Sequence, residues 1–289
     1  MDIWSITNPF LKTLLYLSLL GTVGTLLFSL HFSKYQSLAG VRYCQSLINK
    51  SASLGIIVSL GTFFSVAGNM GGDFVSAIDM IMLRLAFESK LGLASLIALL
   101  GFVILRVTNK STSQLGFVIS LIGLILVLLS FVISGHSTKD GFITQSLLLI
   151  HLVGISYWLG SLLPFSWMCI SDDDENLYII THRFGVLAIG YIMALMISGF
   201  IFAYHLIGSF YALINTSYGN VLLAKLVAVF LILSLGALNK FKLVPLLIKN
   251  PTVGAKRLRS SVNFEILLAL IILGFSSLLT TSLTLPMGI

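Results

Sequence analysis

The sequence predicts an all-α polytopic integral membrane protein, a bundle of about eight transmembrane helices. Three observations predict it. Charged residues make up 9% of the 289, against roughly 25% in a soluble domain. Hydrophobic residues reach 57% and mean hydropathy is +1.04, which leaves too few polar side chains to cover a water-facing surface. Apolar stretches long enough to cross a bilayer, for which roughly 20 residues are needed, recur along the whole chain.

These stretches run approximately over 10–32, 51–69, 88–107, 115–134, 142–168, 182–207, 219–239 and 260–283. They are apolar all round. Barrel strands would instead alternate polar and apolar residues over about 10 positions. The connections are too short to hold a soluble domain, so 1–289 reads as one transmembrane domain. The first stretch is preceded by Met1-Asp2-Ile3-Trp4, with no basic leader and no small-residue cleavage site, and is expected to stay as an anchor. It carries Gly21 and Gly24, and the sixth carries Gly185 and Gly190, spacings that suit close helix approach. Arg84, Glu88 and Lys90 open the third stretch as surface pairs. Lys225 lies about two turns into the seventh, where it can snorkel. Glu265 lies about one turn into the eighth. There it could cap backbone groups, carry a proton or, the favoured reading, pair with a loop arginine. The two cysteines, Cys44 and Cys169, read as small buried side chains and not as a disulfide framework.

The net charge of +7 follows topology and not nucleic-acid binding. Twelve of the basic residues fall in connections 1–2, 3–4, 5–6 and 7–8, and three fall in the connections on the other side. The positive-inside rule puts the first set in the cytoplasm. With eight spans, both termini are then periplasmic.

This topology sorts the histidines. His31 and His182 fall toward the basic side. His136 sits in connection 4–5 and His205 near the outer end of the sixth span. His151 lies near mid-bilayer, where an ionisable side chain is costly and a functional role is the default reading. Neutral imidazole ligates copper, zinc, nickel and iron, and thioether favours Cu(I). Met196 is placed at nearly the depth of His151, with Met193 on the same helical face. The candidate metal ligands are therefore His136, His151, His205 and Met196. Each has a plainer reading: a buried histidine bonded to a backbone carbonyl, loop histidines at the surface, methionine as filler.

Residues Gly135-His136 and then His151, Trp158 and Gly160 resemble the membrane domain of the CopD copper-resistance family. The resemblance continues through Arg183-Phe184, Ser198-Gly199, Thr216-Ser-Tyr218-Gly219 to Lys225, Leu235-Gly236 to Asn239, Pro245, Leu258-Arg259 to Glu265, and Pro286. It covers about 135–286; the first four spans match only as hydrophobic segments. The resemblance implies a bacterial inner-membrane protein that handles copper, as Cu+ or Cu2+, delivered from the periplasm. It also implies a separate small periplasmic carrier of the CopC type as partner. It supports His136 and His151 as motif positions; His205 and Met196 rest on topology.

The favoured function is copper transport, from periplasm to cytoplasm. His136 and His205 would receive the ion at the outer mouth. His151 with Met196 would hold it at mid-bilayer, tightly enough to desolvate it and loosely enough to release it. The alternatives are a non-transporting protein that helps load a copper metalloenzyme and, less favoured, a b-type haem electron carrier. No nucleotide-binding or hydrolase motif is present, and the chain is not expected to be an enzyme.

Overall fold

The computed structural model describes residues 3–111, 113–134, 141–171, 174–207 and 209–283. Among these residues every regular element is helical, and eight helices are long and apolar enough to cross a membrane. We label them α1 (Trp4–Tyr35), α2 (Leu38–Gly71), α3 (Lys90–Thr108), α4 (Gln114–Ile133), α5 (Gly141–Ser171), α6 (Asn176–Tyr204), α7 (Ser217–Lys249) and α8 (Pro251–Thr281).

The number and order of spans agree with the sequence reading, but several boundaries do not. The helix expected from 51 starts at Leu38, and the pair expected to end at 239 and resume at 260 meets at Asn250. Hydropathy marks where side chains leave the hydrocarbon. A helix satisfies its own backbone and has no reason to stop there. At about 1.5 Å per residue a 33-residue helix is about 50 Å long, well beyond a hydrocarbon core of about 30 Å. Arg42, Lys50, Lys240, Lys242 and Lys249 therefore ride on helix extensions instead of loops. Side-chain caps set several starts. Ser37 accepts from Gly40 N, Ser89 from Gly92 N, Thr216 from Gly219 N and Asn250 from Val253 N, each satisfying a donor that the first turn leaves bare.

α1 is the centre of the bundle. More than half of its apolar window is buried (56%), against 17% for α6 and for α7 at the periphery. It packs on α2, α5 and α8, while α2–α3–α4 form one flank and α5–α6 with α7–α8 the other. Lipid tails are as apolar as leucine, so helices associate here through close packing and interhelical hydrogen bonds. A Cβ on Gly24 would stand 2.6 Å from Gly160 Cα, so α1 and α5 meet backbone to backbone at that point. Gly21 likewise admits Ser51. The expected Gly185/Gly190 contact does not form in the same way. Gly185 faces the Lys240 side chain at 3.6 Å, and nothing stands within 4 Å of a Cβ at Gly190. Hydroxyl and amide bonds add to the packing: Thr13 to Ser277 at 2.8 Å, Ser65 to Asn8 at 2.5 Å, and Ser166 to Asn263 at 2.6 Å.

Two π-helical turns interrupt the spans, Leu20–Gly24 in α1 and Asn239–Leu243 in α7. The second lies just before Pro245, which has no N–H for the preceding turn. Such insertions re-aim side chains and recur at functional sites. α5 is likewise broken between Gly160 and Leu162, where Pro164 cannot donate to the Gly160 carbonyl.

Candidate functional site

His151 lies ten residues into α5, about 15 Å along the helix. The helix brings it against α6. Gly154, one turn on, makes this approach possible, since a Cβ there would stand 3.0 Å from Leu195 Cβ and 3.2 Å from Tyr191 O. The half-buried imidazole places Nδ1 3.2 Å from Leu195 O, and Ser198 Oγ donates to the same carbonyl at 3.2 Å. A carbonyl oxygen only accepts. Nδ1 therefore carries the ring proton, and Nε2 presents its lone pair away from this bond. The ring also fills the space that Gly199 leaves. A Cβ at Gly199 would stand 2.9 Å from Cε1 and 3.1 Å from Nδ1. The Leu195 carbonyl and the gap at Gly199 thus hold the imidazole in one tautomer and one place, in the way that partner carbonyls orient metal-ligating histidines. The Lys225 ammonium of α7 is near enough to act on the ring electrostatically.

The other sequence candidates are placed unevenly. His136 lies outside the described residues. His205 falls in the helix Asp174–Ile207 that contains α6, and its side chain also lies outside what is described. Met196 and Met193 are 43% and 56% exposed on the surface of α6. Among the described residues no hydrogen bond or ring contact joins Met196 to His151, and no group of three or more His, Cys, Asp or Glu side chains is arranged to hold a metal. Cys44 and Cys169 are not joined in a disulfide.

The sequence reading passed over a second histidine. His31 was placed at the end of the first span, but α1 continues to Tyr35 and the ring is packed inside the bundle. Its Nδ1 donates to Leu27 O at 2.8 Å, and Nε2 accepts from the Tyr191 hydroxyl at 3.3 Å. Tyr191 stacks on Tyr157 with ring centroids 4.0 Å apart, and Tyr157 in turn stacks on Phe184. The buried Tyr157 hydroxyl has no hydrogen-bond partner among the described residues. Tyrosines at the centres of apolar spans were the available signal, since a buried phenol needs a polar neighbour.

Glu265 is also placed differently from the expectation. Because α8 starts at Pro251, this carboxyl lies fourteen residues into the helix and is 2% exposed. It is not paired with a loop arginine. Its Oε1 accepts from Asn239 Nδ2, at the π turn of α7. The ion pair seen among the described residues is Arg84–Glu88, at 3.2 Å on the surface.

Comparison with known families places two separate matches on the chain. Residues 1–145 match the copper resistance protein D-like N-terminal domain, and residues 179–279 match copper resistance protein D. His136 lies within the first match, Met196, His205 and Glu265 lie within the second, and His151 falls in the stretch between them. No curated protein and no solved structure matches the chain.

Proposed function

The chain belongs to the copper resistance protein D family, and from this premise we propose that it carries copper across the bacterial inner membrane, from periplasm to cytoplasm. The basic end of the bundle then faces the cytoplasm, as the excess of Lys and Arg at that end favours. His136 and His205 belong to the periplasmic mouth, where a small CopC-like carrier would hand over the ion. His151 is the station within the membrane, with Met196 as a second soft donor reached by rotation of its exposed side chain.

The observation that carries this reading is the state of the His151 ring. Its Nδ1 is committed to the Leu195 carbonyl and its Nε2 is left with an open lone pair. An imidazole so fixed is a ready ligand, and burial among apolar helices otherwise makes it a liability. One imidazole with a neighbouring positive charge binds a cation weakly, which suits a site that must release its ion.

The test is copper flux into vesicles that hold the purified protein. His151→Ala is expected to abolish protein-dependent uptake while insertion and thermal stability stay close to wild type. Uptake unchanged in a well-inserted H151A protein refutes the assignment. Copper that binds the wild type but never enters the vesicle lumen would favour a non-transporting, copper-loading role.

A further inference from the structure

Glu265 is the one acidic residue within the eight spans; the other nine lie outside them. An ionised carboxylate in hydrocarbon needs a cation or several donors. This one has a single described donor, Asn239 Nδ2, and no ion pair. No ion pair reaches Glu265 among the described residues, and several charged and titratable groups on the elements around α8 have contacts of their own. On α1, Lys12 lies 4.6 Å over the Phe131 ring, and both nitrogens of His31 are bonded. On α6, Arg183 lies 4.5 Å over the Tyr35 ring. On α7, Lys240 donates to Gly185 O at 2.9 Å. Cys169 of α5 feels Arg259 of α8.

The unsatisfied atoms nearby show what the site lacks. Asn239 Oδ1 and Ser261 Oγ are buried with no hydrogen-bond partner among the described residues. A carboxamide offers a donor and an acceptor side by side. A carboxylate can answer only the donor and leaves the amide oxygen bare, at the cost of a buried unmade hydrogen bond. A carboxylic acid answers both, because its O–H donates where its C=O accepts. Ser261 lies one turn before Glu265 on the same face of α8, and Arg257 one turn before that. Ser261 and Arg257, with Ser260 and Asn263, line an open groove between α7 and α8 toward the basic end.

We propose that Glu265 and Asn239 form a proton-binding site, in which the Glu265 O–H donates to Asn239 Oδ1 and the proton exchanges with the basic end through the Ser261 hydroxyl and this groove. Resting on the copper reading above, the site also gives transport a counter-charge: a proton leaves Glu265 through this groove to the basic end as the copper cation passes the spans and returns from that end once the ion is released, so positive charge does not accumulate in the hydrocarbon.

Two measurements separate the parts. Infrared difference spectra of the full chain in lipid, across a pH titration, are expected to show the carbonyl band of a protonated carboxyl in the wild type and none in Glu265→Gln. The glutamine amide supplies the donor that the acid O–H supplied, so E265Q keeps the fold. Asn239→Leu is expected to shift the band by removing its partner. Absence of any E265Q-sensitive band overturns the proton site, whatever copper does. In vesicles, copper uptake by the wild type is expected to depend on the pH at the basic face, where this proton leaves and returns, and to lose that dependence in E265Q while copper still binds. Copper flux indifferent to that pH, with the infrared band present, overturns the coupling and leaves the proton site standing. No copper flux in the wild type overturns the transport reading, and the coupling with it.

Discussion

A single added methyl group at Gly199 tests how His151 is held. In Gly199→Ala the new Cβ would stand 2.9 Å from His151 Cε1 and 3.1 Å from Nδ1. Carbon atoms in contact settle at about 3.5–4.0 Å, so the ring must retreat from α6 by about 0.6 Å or more. The Nδ1···O distance to Leu195 starts at 3.2 Å. Lengthened by that amount it passes about 3.6 Å, where a hydrogen bond no longer counts as one. Loss of a neutral hydrogen bond costs about 0.5–1.5 kcal/mol net, and the tautomer that exposes Nε2 loses its anchor. Copper affinity at this site is therefore expected to fall about two- to twelve-fold. Titration of purified protein against a competing chelator measures it. Gly190→Ala is the control, because a Cβ there meets nothing within 4 Å; it should bind copper as the wild type does. Equal affinity in wild type, G190A and a well-folded G199A would refute the claim that the Leu195 carbonyl and the Gly199 gap set the ring.

Gly24→Ala forces two backbones apart where α1 meets α5 and should cost about 1–3 kcal/mol, as overpacking does; thermal unfolding in detergent reads the loss, and an unchanged midpoint would contradict the contact. Tyr191→Phe removes the donor to His31 Nε2, with a cost of about 0.5–1.5 kcal/mol and a shifted ring-nitrogen resonance of His31 in labelled protein. Asp73 accepts from Ser76 N at 2.7 Å, and its hydrogen bonds to Ser76 hold its carboxyl below the ordinary value. A lowered carboxyl contributes stability that is present above its unfolded pKa and lost as pH falls through the folded one. The Ser76 amide should therefore stay protected from hydrogen exchange near neutrality and lose protection in strong acid; loss already near neutrality would contradict the bond.

The spans were legible in the sequence because hydropathy reports directly on the solvent that each stretch meets. Their ends were not, because a helix such as Leu38–Gly71 continues through Arg42 and Lys50 once its backbone is satisfied. That error hid His31 and misplaced Glu265, since depth was counted from ends that were wrong. The first four spans looked like anonymous hydrophobic segments, yet residues 1–145 match the family's N-terminal domain. His151 stood out in the sequence by its depth in the fifth span and as a motif position. Its partner did not, because a backbone carbonyl leaves no mark on the sequence; Gly199 did leave one, as the glycine of the Ser198-Gly199 pair. Asn239 was legible only as a motif position. Its approach to Glu265 depends on the π turn, and neither periodicity nor composition announces one.

The polar groups that bear on the proposed function gather in one half of the bundle, although the buried hydroxyl of Ser59 in α2 also has no hydrogen-bond partner among the described residues. His151 lies at the α5–α6 contact, and His31, Tyr157 and Tyr191 join α1, α5 and α6. Glu265 and Asn239 join α7 to α8. In the other half, the described polar links between spans are ordinary: Arg106 to Ser53 and Asn109 to the Gln45 carbonyl join α2 and α3 near their ends. A bundle selected for stability alone would have no reason to bury its one intramembrane carboxyl on an amide, or to leave the Tyr157 and Ser261 hydroxyls unpartnered, since each costs free energy that an apolar side chain would save. On the proposed reading, α2–α4 form a supporting flank and α5–α8 a working one, with α1 shared between them. The separation also carries a consequence for mutagenesis. Polar-to-apolar changes at Tyr157 or Ser261 should leave stability unchanged or raise it while impairing copper movement, whereas changes in α2–α4 should act on stability first.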